Sequence, residues 1–142
     1  MASIGLTTAD TVSVIEWGIQ ATLPAAAAIS AGAPVTIDSN GKFAKADADG
    51  AGTLPVTWGI ALRTVAAGEN LTAMRTGLIG GYAWSSTAYM TPVLLADTAG
   101  EITVTSSESN GSSADVVIGY VEAVWDHLVG GTPSKALRLD IK

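Results

Sequence analysis

The stretch PVTIDSNGKFAKA at residues 34–46 is echoed by PVLLADTAGEITVT at residues 92–105. Few side chains are shared, yet the backbone signals come in the same order. Pro34-Val35 matches Pro92-Val93 at an offset of 58 (92 − 34), and Asp38-Ser39-Asn40-Gly41 matches Asp97-Thr98-Ala99-Gly100 at 59 (97 − 38). An Asp-x-x-Gly sequence suits a type I turn: Asp bonds the backbone ahead of it, and Gly accepts positive φ at the fourth position. Extended residues flank each turn, with residues 42–45 following the first and 101–105 the second. Each copy therefore reads as a β-hairpin.

The correspondence continues on both sides. A small polar loop follows each hairpin, ADADGAG at 46–52 and SSESNGSSAD at 106–115. Trp58-Gly59-Ile60-Ala61 then matches Ile118-Gly119-Tyr120-Val121 at an offset of 60 (118 − 58). Each copy closes on an alternating strand, Leu71-Thr72-Ala73-Met74-Arg75 and Leu137-Arg138-Leu139-Asp140-Ile141, now offset by 66 (137 − 71) because WDHLVGGTPSKA is a longer loop than TVAAGE. Apolar and polar residues that alternate mark a strand with one buried face. Trp17-Gly18-Ile19 is a third echo, after the run Val12-Ser13-Val14-Ile15. The expected organisation is an N-terminal arm and first strand at 1–20, then one domain at 21–142 holding pseudo-repeats at about 32–80 and 90–142. Short strands at this spacing indicate an all-β barrel or sandwich. No stretch demands a helix.

Composition agrees. The 142 residues are 48% apolar but only 14% charged, and they include 16 Gly. Such a chain favours thin strands and tight turns. The net charge of −6 and the scatter of seven basic residues argue against a grip on nucleic acid, which needs clustered Lys and Arg. There is no Cys, hence no disulfide framework and no thiolate site. The N-terminus lacks the pattern of a signal peptide, and the apolar run LPAAAAI is too short to span a bilayer, so no membrane partner is expected.

Chemistry has little to work with. His127 is the one histidine and reads as a surface-loop residue, with no Gly-x-Ser-x-Gly elbow to support a triad. Asp47-Ala48-Asp49-Gly50 has the flavour of a calcium loop, but Lys45 and Val56 stand where the EF-hand pattern needs acids. None of Lys42, Lys45, Lys135 or Lys142 has the Met or Ala setting of a lipoyl or biotin lysine. Of the four tryptophans, Trp17 and Trp58 read as core. Tyr82 and Trp84 form the best candidate for a sugar-stacking platform, against which core or subunit interface is the favoured reading for all four tryptophans; Tyr82, Trp84 and Trp125 are the candidate trimer or surface contacts. No enzyme, metal or cofactor is expected.

Taken together, the segments AGAPVTIDSNGKFA, GIAL, GENLTAMRTGLIGG, GYVEAVW and KALRLDIK resemble the capsid decoration, or cement, proteins of tailed phages. The likeness is to the lambda-type head decoration protein and its relatives with a β-tulip fold, and it covers about residues 30–142. Residues 83–91 depart from it. The resemblance implies a homotrimer seated on the outside of a virion shell of HK97-like major capsid protein, made in the host cytoplasm. It also implies an N-terminal arm that reaches the shell. The residues that would carry this are Ser3, Ile4, Leu6, Thr7, Thr8, Val12 and Val14: residues 2–9 are uncharged and expected to be loose in the free protein, and Val12 and Val14 with the Thr-rich stretch before them are strand formers able to add to a sheet edge. The alternative expectation is a carbohydrate-binding or fibre-base module that uses Tyr82 and Trp84.

Overall fold

A computed structural model describes residues 3–8, 10–52, 54–84, 87–105, 116–129 and 131–141. Twelve strands and no helix occur among them: β1 (Ser3–Ile4), β2 (Ser13–Glu16), β3 (Gln20–Pro24), β4 (Pro34–Ile37), β5 (Phe43–Lys45), β6 (Gly59–Ala61), β7 (Asn70–Met74), β8 (Thr76–Gly80), β9 (Pro92–Leu95), β10 (Ile102–Thr103), β11 (Val117–Val129) and β12 (Thr132–Asp140). They form two antiparallel sheets. One has seven strands in the order β1-β10-β9-β11-β12-β8-β2, and the other has five in the order β3-β7-β6-β4-β5. The chain is therefore all-β. No closed barrel is detected among the described residues.

The two sheets share one plan. Reading inward from one edge, β3-β7-β6-β4-β5 has its counterpart in β8-β12-β11-β9-β10. The registers agree as well. Pro34 faces Ile60 and Val35 faces Gly59, as Pro92 faces Tyr120 and Val93 faces Gly119. Ala21 faces Ala73 as Ile79 faces Leu137, so the leading strands correspond at an offset of 58 (79 − 21). The corresponding units thus begin at β3 and β8, earlier than the hairpins that reveal them in sequence. Ile60 faces Met74 as Tyr120 faces Arg138, so the closing strands correspond at 64 (138 − 74) and not 66. The two-residue difference is one β period, which leaves every side chain on its expected face.

Turn chemistry builds the first hairpin as anticipated. Asp38 Oδ1 accepts from Asn40 N at 2.9 Å and Lys42 N at 3.0 Å, and Gly41 has φ of +75°. The second turn differs. Glu101 N donates to Thr98 O at 3.2 Å, so the turn starts at Thr98 and not Asp97. The reason lies outside the hairpin: Gly100 N donates to Ala46 O in the other sheet's loop, at 2.9 Å, and is not available to Asp97. A second correction concerns WDHLVGGTPSKA, expected as a loop. β11 and β12 run through it as one long hairpin, with a register shift between Val124 and Leu128. His127 accordingly lies in a strand.

Two apolar clusters hold the molecule together. The first joins both sheets and includes Ile60 and Met74 on one side and Ile79, Val93, Leu95, Ile118, Leu137 and Leu139 on the other. The second lies on the far face of the five-stranded sheet. There Val35, Phe43, Ala61, Leu71 and Ala73 are covered by Ala25, Ile29 and Val65 from the connecting loops. The bridge between Ile29 and Val65 draws those loops together. The small Ala side chains let loop backbone lie close to the sheet, which explains the Ala-rich composition of 25–33.

Candidate functional site: the N-terminal segment and the edge it forms

The segment 3–24 supplies an edge to each sheet. Ser3 and Ile4 pair with Thr103 and Ile102 on β10. The chain then crosses to the stretch after β8: Ala83 N donates to Gly5 O at 2.8 Å, Leu6 bridges Tyr82, and Thr7 N donates to Gly81 O at 2.7 Å. Farther on, Ser13 and Val14 pair with Gly80 and Ile79. One continuous stretch thus borders the seven-stranded sheet at both ends. Gly81 permits the crossing, since a Cβ there would lie 2.8 Å from Thr11 O and its φ is +114°. Asp10 marks the bend with φ of +63°, and its Oδ1 accepts from Thr64 Oγ1 at 2.6 Å.

The candidate arm residues divide by period. Ile4, Leu6, Val12 and Val14 are half-buried against the core shared by the two sheets. Thr7 and Thr8 are exposed, while Ser3 is placed by its backbone pairing. In the free chain this segment is docked on its own sheet rather than loose, because the even-numbered apolar residues have a core to meet.

Tyr82 and Trp84 are not surface residues. They are 6% and 4% exposed, with ring centroids 5.5 Å apart, and the Tyr82 hydroxyl donates to Gly32 O at 2.7 Å. Burial pushes the Tyr82 phenol well above its ordinary pKa. Neither ring can stack on a sugar or reach a second subunit while the chain is folded. The reason is that the stretch after β8 turns inward under Leu6. Trp84 Nε1 finds no partner among the described residues. Trp125 falls in β11, and its side chain lies outside the described residues. Trp58 meets expectation, half-buried against the second cluster and tilted on Phe43 at 5.6 Å.

Trp17 reverses its expectation. It is 64% exposed, and Ile15 and Ile19 beside it are exposed too. Val12 and Val14 alternate in one phase, whereas Ile15, Trp17 and Ile19 alternate in the other. A register shift between Val14 and Glu16 separates the two phases. Gly18 allows the chain to pass Thr76, whose carbonyl oxygen would lie 2.1 Å from a Cβ. Segment 13–24 therefore runs from the free edge of one sheet, β2, to the free edge of the other, β3.

Charge beside this edge is organised by Arg138. Its guanidinium reaches Glu16 at 3.1 and 3.2 Å and Glu122 at 2.7 and 3.2 Å, tying β2, β12 and β11 together. The Arg138 hydrogen bond holds the Glu16 carboxyl below its ordinary range, and the two carboxylates, Glu122 foremost, raise the arginine. Elsewhere, burial and then the hydrogen bond with Asp49 raise the Asp47 carboxyl. Among the described residues no group of three or more His, Cys, Asp or Glu is placed to hold a metal ion.

Comparison with protein-family models, with curated proteins and with solved structures found no match to this chain.

Proposed function

We propose that the protein is a structural component of a tailed-phage virion that binds the outside of the mature capsid and bridges subunits of an HK97-like major capsid protein. It acts as a homotrimer, without catalysis or cofactor. The finer fold reading, a small β-tulip or barrel, belongs to this proposal. It is supported by the way segment 3–16 borders both ends of the seven-stranded sheet.

One observation carries the functional reading: among the described residues, β1 is held to β10 by two residue pairs, Ser3 with Thr103 and Ile4 with Ile102. Each backbone hydrogen bond of that kind contributes only about 1 kcal/mol net. Such a strand can be given up to a sheet edge on another protein, where the same backbone groups pair again. Main-chain pairing tolerates the small differences among quasi-equivalent shell positions. Weak contacts made three at a time become durable through effective concentration. The low charge of the chain keeps the desolvation cost of such contacts small.

Removing residues 1–11 tests the reading. The truncated chain is expected to fold, through β2 onward, and to fail to coat expanded shells. Full occupancy of shells by the truncated chain, seen by electron microscopy of the particles, would remove the arm from the mechanism. The alternative of a glycan-binding module loses its residues, since Tyr82 and Trp84 are inside the molecule.

A further inference from the structure

Five of the seven large hydrophobic side chains exposed among the described residues lie in two neighbouring patches. The first is a projecting row, Ile15, Trp17 and Ile19. The second is a cavity of about 430 Å³ where the sheets meet, walled by Pro55, Thr57, Val116 and Ile141. Val56 and Val117, 63% and 56% exposed, stand at this cavity. Tyr120 and Asp140 line both this cavity and the hollow beside Trp17.

A knob and a hole on one surface raise the question of what joins them. We propose that Trp17 of one chain enters the Val56–Val117 cavity of a second copy of this chain, and that repetition of this contact closes a ring. Three considerations favour a second copy as the occupant. Volume is the first: a cavity of about 430 Å³ has room for an indole and part of a neighbouring isoleucine. Area is the second. One Trp and four aliphatic side chains bring on the order of 500 Å² of apolar surface. Counted over both partners of one contact, that is over half of the roughly 900 Å² of apolar surface in a specific interface of ~1,600 Å².

Geometry is the third. Trp17 follows β2 and Val117 begins β11, and β8 and β12 lie between them. Three strand spacings, about 14 Å across the sheet, separate the strand that leads to the knob from the strand that begins at the hole. Because knob and hole are different surfaces, the contact is heterologous, and a heterologous contact makes either a closed ring or an open fibre. The threefold order rests on the decoration reading; the knob-and-hole contact does not.

The chain's mass in free solution decides the matter. The native protein at tens of micromolar is expected at three times the 14.3 kDa chain mass. Trp17→Lys and Val56→Lys should each give a single-chain mass with native far-ultraviolet circular dichroism, since both side chains are more than half exposed. Mixed in equal amounts, the two variants should form a one-to-one dimer and nothing larger, because the intact knob of one fits the intact hole of the other. A native mass retained by Trp17→Lys would overturn the proposal, as would a mixture that stays monomeric. A native chain that is monomeric alone, yet needs Trp17 to coat shells, would also overturn it and assign the patch to the shell. The arm deletion reads shell occupancy and this experiment reads mass without shells, so either reading can fail alone.

Discussion

A methyl group on Gly119 would lie 2.0 Å from the Arg138 carbonyl oxygen, and one on Gly59 would lie 2.6 Å from the Met74 carbonyl oxygen. These are corresponding glycines against corresponding carbonyls, and neither uses positive φ. Each is needed because adjacent backbone passes too close for any side chain. Gly119→Ala should lower unfolding stability in urea by about 3 kcal/mol or more, and Gly59→Ala by roughly 2 kcal/mol. Gly131→Ala is a different case: its added carbon meets nothing within 4 Å, and only its φ of +81° resists. Glu16 offers a test by pH. Its folded pKa lies below the ordinary value because Arg138 bonds the carboxylate. Its contribution is therefore present above the unfolded glutamate pKa and is lost as pH falls through the folded one. Glu16→Gln should melt below the native chain near neutral pH and together with it in acid, as thermal scans across pH would read. The glycines were legible as centres of matching strands. The exposure of Trp17 was not, because Trp beside Gly and Ile fits a core strand equally well until the neighbouring strand is known.

The two hairpins separate local chemistry from tertiary override. Asp38 stabilises its turn through two backbone donors, whereas the Oδ1 of Asp97 is buried with no partner among the described residues. Asp38→Ala should cost about 1 kcal/mol, the usual net worth of such bonds. Asp97→Ala should be neutral or stabilising, because an unsatisfied buried oxygen is removed. Opposite signs in a denaturant comparison are the expected outcome, and equal losses would contradict it. Both turns were readable from Asp-x-x-Gly, since type I turns are set by residues within reach of one another. The shift of the second turn was not, because its cause is Ala46, which is distant in sequence. The β11–β12 hairpin was hidden for a related reason. Gly130-Gly131 and Pro133 signal a loop, yet the β11–β12 ladder runs on to Val129 and Thr132, beyond the residues that β8 flanks, and the Tyr89 hydroxyl donates to Pro133 O from a segment distant in sequence.

At the scale of the molecule, segment 3–8 rests on two ladder pairs at β10, a few bonds to residues 81–83, and the half-buried side chains of Ile4 and Leu6. Loss of residues 1–11 should lower stability by about 2–4 kcal/mol, from partial exposure of the apolar surface that Ile4 and Leu6 cover. Unfolding should remain a single cooperative transition by circular dichroism, because the core between the sheets is built from β4 onward. A non-cooperative melt would mean that the segment is integral to the fold rather than detachable from it.

What the amino-acid sequence determined on its own was local: strand and turn types, the duplicated order of signals, and which faces of the strands are apolar. These depend on neighbours a few residues apart, where propensity, glycine freedom and the period of two act directly. Only the tertiary structure decided which strands pair, where the corresponding units begin, and which aromatic residues are covered. Tyr82 and Trp84 went inside and Trp17 outside because burial is settled by what lies across the sheet, where residues near in space can be more than a hundred positions apart in the chain, as Glu16 and Arg138 are.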